Sequence, residues 1–163
     1  MTYPFSASAN FGHSNASRAA LYLIMNVIYA ISSFPFGIVS DQMGRKGVLL
    51  IGFAIFFFVY LGFAVAPSAL FVWILFPLYG LYYGLTDGVS RALVSDLAPA
   101  HLKATAFGTY YFVVGVVALP ASLIAGAIWQ TVGPAYAFFY GAVMASAAAL
   151  TIGLFVHSDG LVK

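Results

Sequence analysis

The chain has 163 residues, of which 63% are hydrophobic and only 6% charged, with a formal net charge of +2 and a mean hydropathy of +1.01. Soluble domains carry about 25% charged residues, so a water-facing exterior cannot be built from so few. That balance excludes a water-soluble domain and argues against a nucleic-acid surface, while the absence of cysteine excludes disulfides, a thiol nucleophile and a Cys-based metal site.

Met1 to Ser17 has no basic residue followed by an apolar core and does not read as a signal peptide. A membrane-spanning helix needs about 20 mainly apolar residues. Five segments meet that requirement: Ala19 to Val39, Val48 to Ala66, Ala69 to about Val94, Ala104 to Trp129, and Ala135 to Val156. They are too long for barrel strands and do not alternate with period two. The expected fold is therefore an all-α, polytopic membrane helix bundle. An outer segment (1–18) precedes the bundle (19–157), and a short tail (158–163) follows it.

In the first span, Asn26, Tyr29 and Ser33 share a face at spacings of three and four. They are candidates for lining a polar cavity, the structural alternative being a bond from Asn26 to a neighbouring helix. The stretch Gly37 to Lys46 then packs Asp41, Arg45, Lys46, Gly37 and Gly44 between two uncharged runs. It predicts a tight, constrained turn at a membrane surface. Asp41 is expected to accept hydrogen bonds from a nearby helix N-terminus, the start of the fourth helix at Lys103 or Ala104 being the candidate. Asp96, at the end of the third span, is expected to pair with Arg45 or Lys46.

The third span carries Asp87 and Arg91 four residues apart, acid first, a spacing that lets them pair. Each costs about 2.5–3.5 kcal/mol at a helix centre on the insertion scale, so neither is expected to face lipid. Gly80 and Gly84 lie on the same stripe, and with Gly88 they form small-xxx-small steps that permit close helix contact. The pair reads as a gate, a coupling site or a solute contact, against the alternative of a structural ion pair. Tyr79, Tyr82, Tyr83, Tyr110 and Tyr111 form an aromatic group on the third and fourth spans. Tyr79, Tyr83 and Tyr110 are candidates for a substrate path, with ordinary packing as the competing role. Pro35, Pro77 and Pro120 interrupt helical hydrogen bonding and mark candidate kinks. Pro67 and Ser68, Pro99, and Gly133 with Pro134 separate the later spans. His13, His101 and His157 have no ligand or triad spacing, so no metal or cofactor site is indicated.

Positive charge sets direction. Arg45, Lys46, Lys103 and Lys163 fall on one side, leaving only Arg18 opposite. The turn after the first span and the C-terminus are expected to be cytoplasmic, in a multi-pass cell-membrane protein. Trp73 and Trp129 fall near outer helix ends, as interfacial anchors do. This direction leaves the N-terminus outside with no preceding helix to carry it there, and it predicts that the chain is part of a longer protein. A repeat is also visible. Gly37, Gly44 and Gly52 recur as Gly126, Gly133 and Gly141 at an offset of 89 residues, and Tyr22 matches Tyr111. The two copies turn on opposite sides, as inverted-topology repeats do, with the chance spacing of membrane glycines as the alternative.

The pattern Gly37-x-x-x-Asp41-x-x-Gly44-Arg45-Lys46 resembles the signature loop of the major facilitator superfamily. Thr86 to Pro99, Thr105-Ala106-Phe107-Gly108 and Leu119-Pro120-Ala121-Ser122 are similar to a bacterial and archaeal branch of it, so the resemblance runs from about Leu21 to Leu154. It implies a partial major-facilitator fold, namely helices eight to twelve of a twelve-helix transporter, with the N-terminal half missing or carried by a partner chain. It implies secondary transport of a small solute by alternating access. In the family the loop acid and base clamp neighbouring helices, roles that pass by position to Asp41 and Arg45, with Asp96 as the acid of the third helix. Asp87 stands where Glu is expected and Lys103-Ala104 where Arg-Gly is usual. Asp87 is the only acid within a span and so the candidate for proton coupling, although an arginine partner opposes easy protonation.

Two other readings compete. A non-transporting remnant or the subunit of a split transporter is one. The other is an intramembrane enzyme, because Asp87-Gly88-x-x-Arg91-Ala92 resembles part of the Asp-Gly-x-x-Ala-Arg motif of CDP-alcohol phosphotransferases. There the order of Arg and Ala is reversed, and only Asp96 and Asp159 follow, at the wrong spacing for a metal site.

Overall fold

The computed structural model describes residues 15–66 and 68–155. The predicted outer segment up to residue 14, Pro67, and everything from Val156 onward, including His157, Asp159 and Lys163, lie outside the described residues. The described residues form five helices, α1 (Asn15–Met43), α2 (Arg45–Val65), α3 (Ala69–Leu97), α4 (Lys103–Thr131) and α5 (Pro134–Phe155), with a 3-10 turn at Ala100–Leu102. All five are long and apolar enough to cross a membrane. There is no strand among the described residues.

The helices run longer than most of the predicted spans, chiefly at the charged turn. α1 continues through Asp41, Gln42 and Met43, and α2 starts at Arg45, so the turn reduces to Gly44. Hydropathy marks where lipid contact ends, whereas a helix continues into the interface wherever its backbone hydrogen bonds can. Gly44 breaks the helix at φ 85°, a backbone conformation that side-chain-bearing residues rarely adopt. Gly133, at φ 129°, does the same between α4 and α5. Pro35, Pro77 and Pro120 all lie inside continuous helices.

Side-chain contacts give each helix its direction. Phe63 meets Phe76, Tyr60 meets Tyr79 and Phe56 meets Tyr82, so α2 and α3 are antiparallel. Met25 lies against Gly80, Tyr29 against Tyr83 and Ser32 against Gly84, so α1 and α3 are parallel. Tyr60 covers Gly141 and Lys46 reaches Gly153, so α2 and α5 are antiparallel. The helices thus pack in the order α1, α3, α2, α5, and α4 rests more loosely on α5 and α3. The buried centre is the α2–α3 seam, where Val48 and Leu49 meet Leu85 and Val89. At this seam Gly52 faces Thr86, and a Cβ at Gly52 would stand only 2.5 Å from the Thr86 methyl. Glycine here lets the two backbones approach.

The repeat seen in the sequence coincides with the helices. Shifted by 89 residues, the bounds of α1 and α2 fall within one residue of those of α4 and α5. α1 and α4 have 29 residues each. Gly44 and Gly133 are the two positive-φ residues of the described chain. Gly52 and Gly141 are both pressed by a neighbouring side chain, whereas Gly37 and Gly126 both face open space. Because α3 reverses the direction between them, the two hairpins turn at opposite ends. The environments differ, however: α4 has no buried residue along its length.

Candidate functional site

Asp41, Arg45, Lys46, Asp96 and Lys103 gather at the end of the molecule that holds Gly44. Arg45 is the hub. Its Nη1 pairs with Asp41 Oδ1 at 2.6 Å, and its Nε with Asp96 Oδ2 at 3.1 Å. Nη1 also donates to Ser40 Oγ at 2.6 Å, and Ser40 Oγ in turn donates to the Gly37 carbonyl at 2.7 Å. A single guanidinium therefore holds the end of α1 and the end of α3 to the start of α2, using the fixed fork of donors that arginine supplies. Lys46, the next residue, turns the other way and donates from Nζ to the Gly153 carbonyl in the last turn of α5, at 2.9 Å. A cation there also complements the negative end of the helix dipole. Lys103 Nζ donates to Ser95 Oγ at 3.0 Å and ties α4 to α3. Gly37, facing open space, supplies the carbonyl, and Gly44 supplies the turn that sends adjacent bases to opposite helices.

This geometry corrects one expectation and narrows another. Asp41 pairs with Arg45 across the Gly44 break and not with the start of α4, because α1 carries it to the α2 side of the turn. Of the two bases offered to Asp96, Arg45 takes it, and Lys46 spends its charge on α5. Ser40 was not singled out in the sequence. Its position one residue before the acid, at the end of an amphipathic turn, was the available signal, yet serine is too common in membrane helices for that to stand out.

A second polar group lies deeper. Asp87 Oδ2 accepts from the Tyr29 hydroxyl at 2.6 Å and forms an ion pair with Arg91. Tyr29 is on α1, so the intramembrane pair on α3 is bonded across the helix interface. Gly80 and Gly84 make this possible. A Cβ at Gly80 would come within 2.5 Å of the Met25 carbonyl, and Gly84 lies against Ser32. Gly88 faces open space and takes no part in this contact. Ser33 Oγ bonds back to the Tyr29 carbonyl at 2.6 Å. Asn26 does not reach another helix. It is exposed and donates to the Tyr22 carbonyl of its own helix at 2.7 Å.

Of the aromatic candidates, Tyr83 stands edge-on to Tyr29 and to Tyr79. Tyr79 also stacks with Tyr82, which lies against Phe56. These rings fill the upper α2–α3 seam and continue through Phe63 to Phe138 on α5. Tyr110 contacts Tyr111 and lines an open, mainly apolar groove of about 530 Å³ between the end of α3 and the start of α4. Among the described residues no group of three or more His, Cys, Asp or Glu could hold a metal ion.

A family model described as Major Facilitator Superfamily matches residues 1–160. The chain belongs to the major facilitator superfamily. Relatives carry the same description. An uncharacterized MFS-type transporter of Methanocaldococcus jannaschii, MJ1317, is 49% identical over 126 residues, covering 77% of this chain and 31% of the relative. The Bacillus subtilis MFS-type transporter YqjV is 27% identical, covering 71% and 29%. The Mycobacterium tuberculosis MFS-type transporter Rv1250 is 27% identical, covering 68% and 19%. The chain thus spans about a third or less of the length of the curated relatives it matches. Membership in this superfamily, with five helices of spanning length, makes the chain a multi-pass membrane protein of a transporter family and not an enzyme.

Proposed function

We propose that the chain is one wall of a secondary active transporter that moves a small solute by alternating access, and that it corresponds to helices eight to twelve of a twelve-helix protein. The observation that carries this reading is the Arg45 hub, which joins α1, α2 and α3 at one end only. Such a network is a latch for that end: closed while the pairs hold, open when they part. By the distribution of lysine and arginine, the latched end is cytoplasmic, as is the C-terminus.

Further helices complete the transporting unit, in the same polypeptide or in a partner chain. The repeat supports this. α1 has a parallel partner in α3, seated through Gly80 and Gly84, whereas α4, its counterpart, has no buried residue among the described helices. The Tyr29–Asp87–Arg91 group is the candidate for proton coupling or solute contact, with Asn26, Ser33, Tyr79, Tyr83 and Tyr110 along the solute path. If Asp87 carries the coupling proton, Asp87→Asn abolishes proton-driven uptake; unchanged uptake removes it from the mechanism.

The chain contains no cysteine, so a single introduced thiol reports cleanly. With Thr109→Cys placed in the groove at the latched end, Arg45→Gln should speed labelling by a membrane-impermeant maleimide applied from that side. Equal labelling with and without Arg45 would remove the latch.

A further inference from the structure

We propose that Ser40 is the positioning residue of the latch, and that its hydroxyl, more than the loop carboxylate, holds Arg45 in reach of Asp96. The inference rests on the reading of the Arg45 network as a latch. It starts from a difference in exposure. The side chains of Asp41 and Asp96 are 62% and 43% exposed, while that of Arg45 is only 16% exposed. Ser40 is 1% exposed. Water screens and competes for the two carboxylates, and exposed ion pairs of this kind contribute little. The Ser40 contact is dry, and a hydrogen bond between a buried acceptor and a charged donor is among the stronger ones.

The hydroxyl is also oriented for the task. Its one proton is directed at the Gly37 carbonyl, which leaves its lone pairs facing Nη1. Arg45 Nη1 has two protons, one for Ser40 Oγ and one for Asp41 Oδ1, and the Nε proton is left for Asp96. Fixing Nη1 against the body of α1 sets the plane of the guanidinium, and with it the direction of the Nε–H bond. Without Ser40, Nη1 is held by an exposed carboxylate alone, and the head group can swing toward water.

Nitrogen-15 arginine NMR of the chain in lipid nanodiscs reads this directly, because the chain has three arginines, Arg18, Arg45 and Arg91. Exchange of the Arg45 Nε proton with water reports the Asp96 bond, and the Arg91 Nε signal, bonded to the Asp87 carbonyl of its own helix, reports whether α3 is intact beside the Tyr29 contact. Ser40→Ala removes one oxygen and suits a helix better than serine does, so the fold should survive. Expected is a rise of about tenfold in Arg45 exchange for Ser40→Ala, a smaller rise for Asp41→Asn, and an unchanged Arg91 signal in both. An Arg45 proton as well protected in Ser40→Ala as in the parent overturns the proposal, and so does a larger rise in Asp41→Asn. The latch reading fails separately: if Ser40→Ala frees Arg45 but maleimide labelling at Thr109→Cys does not change, Ser40 still positions Arg45, and Arg45 is no latch.

Discussion

Gly44 and Gly133 break their helices at positive φ, 89 residues apart and at opposite ends of the bundle. Around Gly44, four charged side chains and a buried serine bind four helices together. Around Gly133 there is no charge: Gln130 stands at the position matching Asp41, and Pro134 at that matching Arg45. The same backbone frame thus carries a network of ion pairs in one copy and an uncharged hairpin in the other. The frame is set by glycine, whose conformational freedom the turn needs. The latch is set by which side chains decorate it. One hairpin geometry can therefore be decorated with charge or left bare without altering the helices.

Breaking the latch should give the largest effect. Arg45→Gln removes charge-assisted hydrogen bonds to Ser40 and Asp96 at once, a loss of about 1.5–3 kcal/mol that corresponds to roughly tenfold to hundredfold in the closed-to-open ratio. Gln130→Ala, at the matching position of the other hairpin, should leave solute flux within about twofold. Comparable losses from both would mean that the two ends are not functionally distinct.

Next come the turns themselves. Gly44→Ala and Gly133→Ala should each lower stability by about 1–3 kcal/mol, because both force a side chain into a region reserved for glycine. Unfolding in mixed detergent micelles measures this. If Gly44 costs much more than Gly133, the latch and not the backbone accounts for the excess.

The flanking glycines come last: Gly52 matches the turns in size, and Gly37 and Gly126 give the smallest effects. Gly52→Ala meets the Thr86 methyl and should cost about 1–3 kcal/mol, a penalty that Thr86→Ser relieves in a double-mutant cycle. Gly37→Ala and Gly126→Ala face open space, so each should gain about 0.5–1 kcal/mol from helix propensity. A gain at Gly126 with a loss at Gly37 would sharpen the contrast, since Gly37 alone lends its carbonyl to the Ser40 chain.

Much of the architecture was legible in the residues. Long apolar runs specify spanning helices locally, and Gly-rich breaks specify where they turn, so five helices and the repeat follow from pattern. Helix ends did not, because Asp41 to Met43 are polar enough to leave lipid and still helical. Nor did partners. Polarity says that Asn26 needs an acceptor, but whether its own helix or another supplies it depends on which way α1 is rotated. The same rotation decides that Tyr29 meets Asp87, and that Ser40 turns inward. Rotation is fixed by the close approaches at Gly80 and Gly84, contacts between segments more than fifty residues apart.

The parallel contact between α1 and α3 has a consequence for biosynthesis. α3 carries Asp87 and Arg91, which burden its entry into the bilayer. α1 leaves the ribosome first, already holding the tyrosine that satisfies Asp87. The translocon can then release α3 against a waiting partner, and the order of synthesis becomes part of the folding instruction. Moving Tyr29 to a later helix would leave the same contacts in the finished protein and strand the charged helix on its way in.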